Sequence, residues 1–160
     1  MIKEGFFPTI IYAEDFKLDT NKIAQDIIQW SNQNKGIKKT NVDGWHSETN
    51  MHEKSEYKPL VNELFRMAHQ IFEEEWLERE PFLGNMWANI NPFGGYNKPH
   101  VHPNALFSGV YYIKTPPNCG RLVCQDPDQV FKLVCLLEKK VSLLNIYGEM
   151  CTYNPKKIEL

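Results

Sequence analysis

The strongest constraint on this chain is a change of character at Pro81 to Gly84. Before it, apolar residues recur at helical spacing. After it come short β-branched and aromatic runs cut by Pro and Gly. Ile23, Ile27 and Trp30 stand at i, i+4 and i+7 and make one helix face, with Thr20 as the expected N-cap and Gly36 near the end. A second helix is expected from about Pro59 to about Glu80, with the stripe Leu60, Leu64, Met67, Ala68, Ile71 and Trp76. Pro59 suits its first turn and Pro81 is its expected stop. Upstream, residues 6–12 read as a first strand. The polar stretch 36–56 reads as a loop or a short strand around Val42 to His46.

Beyond Gly84 the period shortens. Asn85 to Ile90 alternates, with Met86, Ala88 and Ile90 on one side and Trp87 and Asn89 on the other. Phe107 to Lys114 and Arg121 to Gln125 are further expected strands, Pro99 to Pro103 is extended, and turns fall at 91–95, 115–120 and 126–127. Two helices followed by a run of short strands imply an α+β domain with an antiparallel sheet.

With 160 residues the chain has enough for one core, so 1–160 reads as a single domain. Lys and Arg number 18 against 20 Asp and Glu. No basic stripe is available to track a phosphate backbone, and nucleic acid is not an expected partner. No apolar run approaches the roughly 20 residues of a membrane helix, and the N-terminus lacks an h-region. Cys119, Cys124, Cys135 and Cys151 show no CxxC spacing, which fits reduced thiols. The expectation is a cytoplasmic protein with no membrane partner.

The residues that could carry chemistry are His100 and His102. The pair reads as lying on one face of a β-strand, where side chains at i and i+2 point the same way, and two neutral imidazoles so placed can bind one first-row divalent metal. Pro99 and Pro103 stiffen the segment. The competing reading is that His-x-His arises by chance, because a complete site needs a third ligand that the motif does not supply. His46 and His52, in the polar loop, read as solvated, and His69, in the second helix, as structural.

The surroundings of the two histidines carry more than their spacing. Trp87-x-Asn89, Gly94-Gly95-Tyr96-Asn97, His100-x-His102-Pro103-Asn104, Ser108-Gly109-Val110-Tyr111-Tyr112, Gly120-Arg121-Leu122-Val123 and Asp126-Pro127 follow one another in order. Upstream stands Asp43-Gly44-Trp45-His46-Ser47. Together these resemble a family of 2-oxoglutarate/Fe(II)-dependent oxygenases found in bacteria and marine phages, over about residues 5–128. The resemblance implies a double-stranded β-helix (a jelly roll, cupin-like) with the N-terminal helices packed on one sheet. It implies Fe(II) and 2-oxoglutarate as cofactors, O₂ as co-substrate and hydroxylase-type C–H oxidation of an unspecified primary substrate.

The resemblance also implies roles. His100 and His102 become the first two metal ligands, with His102 standing where the wider superfamily has a carboxylate. A second imidazole leaves the metal one unit more positive. Asn104 is a weaker alternative ligand. Tyr112 and Asn89 become cofactor-binding residues, and Trp87 and Asn104 flank the pocket. A packing role remains open for Tyr112 and Trp87, because strands and cores favour aromatics anyway. A distal histidine and a following arginine complete such sites. This sequence has no histidine after His102 and no arginine after Arg121. The tail, 129–160, reads as atypical and the C-terminal strands as incomplete, through divergence or, the better fit, a reading-frame error across 129–150. An altered chain of this kind is expected to be inactive by itself. The alternative is a non-catalytic jelly-roll protein that binds metal or a partner.

Overall fold

The structure is a computed structural model that describes residues 10–125, 134–137 and 143–147. Helix α1 spans Thr20–Gln33. Its N-cap is Asp19, one residue before the expected Thr20. The Asp19 carboxylate accepts from the N–H groups of Asn21 and Lys22 at 3.1 and 3.0 Å, which satisfies two donors the first turn leaves open. Strands β1 (Asn41–Val42) and β2 (Trp45–His46) follow, and two 3₁₀ turns, Met51–Glu53 and Ser55–Tyr57, lead into α2 (Lys58–Glu74). Pro59 lies in the first turn of α2, as expected.

Helix α2 ends well before Glu80. Trp76 adopts a left-handed φ of 53°. The Leu77 N–H donates to the Phe72 carbonyl at 2.9 Å and the Trp76 N–H to the Glu73 carbonyl at 3.3 Å. This pair of bonds is a Schellman cap, normally built on glycine. Glu73, Glu74 and Glu75 crowd negative charge at the negative end of the helix dipole, which opposes further turns. Trp76 therefore leaves the apolar stripe and is 90% exposed.

The remaining strands are β3 (Asn85–Ile90), β4 (Tyr96–Asn97), β5 (Ser108–Tyr112), β6 (Leu122–Gln125), β7 (Val134–Leu137) and β8 (Leu143–Tyr147). Among the described residues they form a four-stranded sheet in the order β2-β3-β8-β5 and two ribbons, β1-β4 and β6-β7. All the pairings are antiparallel. This is an α+β fold with small sheets. Ile10 to Tyr12 form no strand, and residues 6–9 of the expected first strand lie outside the described residues. So does most of the atypical tail. Its β8 pairs with β3 on one side and β5 on the other.

The register fixes which residues share a face. Ala88 pairs with Leu144, and Leu144 with Tyr111; Trp87 pairs with Asn145, and Asn145 with Val110. Met86, Ala88 and Tyr111 therefore look one way, and all three join the buried cluster with Ile23, Ile27, Leu60, Leu64, Met67 and Ile71 from the helices. The Tyr111 ring stacks on Phe16 with centroids 5.4 Å apart. The helices thus cover one face of the four-stranded sheet. Trp87, Asn89, Val110 and Tyr112 belong to the opposite face, and the cross-strand pairing of His46 with Asn89 adds His46 to it.

Candidate functional site

The opposite face holds a short ladder of aromatic rings. His46 stacks on Trp87 with centroids 5.2 Å apart and planes 14° apart. Trp87 stacks on His102 at 6.0 Å and 27°. His100 meets His102 edge-on at 4.8 Å and 67°. Trp87 is 2% exposed and His46 3%. The sequence reading of His46 as a solvated loop histidine is corrected here. Trp45 is part-buried beside the core, and its indole N–H donates to the Asn34 carbonyl at 2.8 Å, so strand alternation turns its neighbour His46 to the other side. His69, by contrast, is half exposed near Glu80 at 3.6 Å.

His100 and His102 do not sit on a strand. Residues 98–107 form a loop, because Pro99 and Pro103 have no N–H to give a ladder. The loop is tied down at both ends. At its start, the β1-β4 ribbon pairs Asn41 with Asn97, and the Lys98 N–H donates to the Thr40 carbonyl at 2.9 Å. At its end, the Ala105 N–H reaches back to the His102 carbonyl at 3.4 Å around Asn104, which has a left-handed φ of 69°. Phe107 then packs on Phe72 at 5.8 Å. Asn104 is exposed. An apolar cavity of about 650 Å³, lined among others by Ala68, Phe72, Trp76, Phe82 and Leu106, borders the loop after His102 and contains none of the imidazoles.

A carbonyl can only accept, so His100 donates from Nδ1 to the Lys98 carbonyl at 2.7 Å, which in the neutral ring puts the lone pair on Nε2. His46 likewise donates from Nδ1 to the Ser47 carbonyl at 2.5 Å. Burial, with the neighbouring His100 charge, depresses the His102 pKa to about 4, so this imidazole is a neutral donor at ordinary pH. Burial also lowers that of His46. Asn89 is 4% exposed, and neither end of its amide has a hydrogen-bond partner among the described residues. Such a group costs stability unless something absent satisfies it. Tyr112 is part-buried, on the same face two residues from Val110.

The loop brings the His100 and His102 rings to 4.8 Å between centroids, and two imidazoles so placed would supply two donors to a divalent ion. Among the described residues, no group of three His, Cys, Asp or Glu is arranged to hold a metal ion. The residues thus fit two donors, and a third protein donor is not beside them.

Ser47 closes the motif Asp43–Ser47, which by itself gave this serine no role. It is fully buried. Its N–H donates to the Ala88 carbonyl, and its Oγ accepts from the Ala88 N–H, both at 2.9 Å. The same Oγ donates to the Glu48 carbonyl at 2.7 Å. Ser47 thereby extends the β2-β3 pairing by one step and fixes the carbonyl that holds His46. Ser47→Ala strands the Ala88 N–H in the interior and is expected to cost about 1–3 kcal/mol in chemical denaturation.

A family model described as "Putative 2OG-Fe(II) oxygenase" matches residues 85–159. Over that stretch the chain is similar to 2OG-Fe(II) oxygenases. The matched residues begin at β3 and include Trp87, Asn89, His100, His102 and Tyr112. No curated protein matches, and no solved structure matches. No helix among the described residues is long and apolar enough to cross a membrane.

Proposed function

We propose that this chain carries an Fe(II)/2-oxoglutarate oxygenase-type site whose first two protein donors are His100 and His102. The observation that carries the reading is the contact of the two imidazoles, 4.8 Å apart, inside the stretch similar to such oxygenases. The Nδ1–H of His100, tied to a backbone carbonyl, is the orienting bond that metal-ligating histidines commonly make. With 2-oxoglutarate and O₂, Fe(II) supplies oxidative decarboxylation coupled to oxidation of a substrate C–H bond. The protein's share is to hold two neutral donors and to offer the Asn89 amide and the Tyr112 hydroxyl to the co-substrate. Asn89 suits that role because its amide is buried and otherwise unsatisfied. The jelly-roll reading rests on the order β3-β8-β5 with the β6-β7 ribbon beside it in sequence.

A second reading has a specific observation in its favour. Among the described residues no third His, Cys, Asp or Glu stands with His100 and His102 to hold a metal ion. A non-catalytic metal-binding protein derived from the same scaffold would look like this. Anaerobic titration with Fe(II) and then 2-oxoglutarate separates the two. The oxygenase reading expects the visible charge-transfer absorption of the chelate. Fe(II) binding without that absorption would favour the non-catalytic reading.

A further inference from the structure

We propose that His46 is a positioning residue for His102, acting through Trp87. The inference rests on the metal-donor reading of His100 and His102 and adds a residue to which the motifs assign no role. Three links carry it. First, His46 is anchored to the sheet: its Nδ1–H is held by the Ser47 carbonyl, and Ser47 is bonded twice to Ala88 of β3. Second, the anchored ring lies nearly parallel to Trp87, 14° off at 5.2 Å. Third, the other end of the ladder is His102, stacked on the same indole.

A loop between two prolines has no ladder of its own to fix the His102 ring. The sheet supplies that order instead, through the Trp87 indole on which both His102 and the anchored His46 stack. Burial lowers the His46 pKa and so favours the uncharged ring, which would not repel a cation nearby. His46 is not arranged with His100 and His102 as a three-donor group, which leaves orientation rather than coordination as its part.

The test uses the full chain and Co(II) alone, followed by calorimetric titration. His46→Leu keeps apolar bulk but loses the flat ring, and is expected to weaken Co(II) binding about 10-fold, as loss of an outer partner typically does. His46→Phe restores a flat ring that cannot coordinate, and is expected to recover binding to within about twofold of the original. In the metal-free protein, the His102 ring-proton resonances should move in His46→Leu and return towards their original positions in His46→Phe. Equal weakening by Leu and Phe would overturn the proposal by making His46 a donor itself. Unchanged binding and unmoved His102 resonances in His46→Leu would overturn it too. A chain that binds no Co(II) at all would sink the metal reading alone. The His102 resonances, read without metal, would then decide the stacking.

Discussion

Trp87→Ala is expected to be the most destabilising single change on the sheet face opposite the helices, by about 3–5 kcal/mol in urea or guanidinium unfolding. Trp87 is 2% exposed, sits in the middle of β3 and has an imidazole stacked at each of two contacts. Truncation leaves a void between His46, His102 and the sheet that neither neighbour can fill without leaving its anchor. His46 is fixed by Ser47, and the His102 loop by the Lys98 and Phe107 contacts. A loss below about 1 kcal/mol would mean that the face is collapsible or solvated, contrary to the stacked ladder.

The helix bodies were legible because their apolar residues repeat at a period that only a helix face satisfies. Ile23 and Ile27, and Leu60, Leu64, Met67 and Ile71, all reach the core. The end of α2 was not legible. Its cap uses a left-handed Trp76 where sequence reasoning looks for glycine, so Pro81 was taken for the stop. Gly36 does lie just beyond the end of α1, but the helix exit is only part of its role. A Cβ there would come within 2.4 Å of the His46 carbonyl, and φ is +68°, so this glycine serves close approach to β2 as well as the chain's exit from α1.

The two faces of β3 could be read from alternation alone, because six residues suffice to show a period of two. Strand β2 has two residues and shows no period. That is why His46 was read as a loop residue although Trp45 beside it was identifiable as part of a motif. His100 and His102 were found by spacing, but the strand under them was an error. Two prolines that stiffen a segment also deny it the hydrogen bonds of a sheet. The helix packing against one face of the sheet was implied by the family resemblance, whereas the insertion of β8 between β3 and β5 is a non-local pairing that no local pattern announces.

The second large effect is expected from removing both motif imidazoles. His100 is exposed and His102 only part-buried, so His100→Ala with His102→Ala costs the fold little compared with Trp87→Ala. Its effect falls on metal affinity. Changing an outer-shell partner typically weakens binding 10–100-fold, and removing the donors themselves should exceed that. The His102 pKa near 4 means that protons do not compete for this donor at neutral pH, so binding there reports the donors directly. The decisive measurement is calorimetric titration of the full chain with Co(II) at neutral pH, beside the double variant. The account predicts one-to-one binding in the original chain and at least ~100-fold weaker binding in the variant. Binding that survives the double substitution undiminished would contradict it.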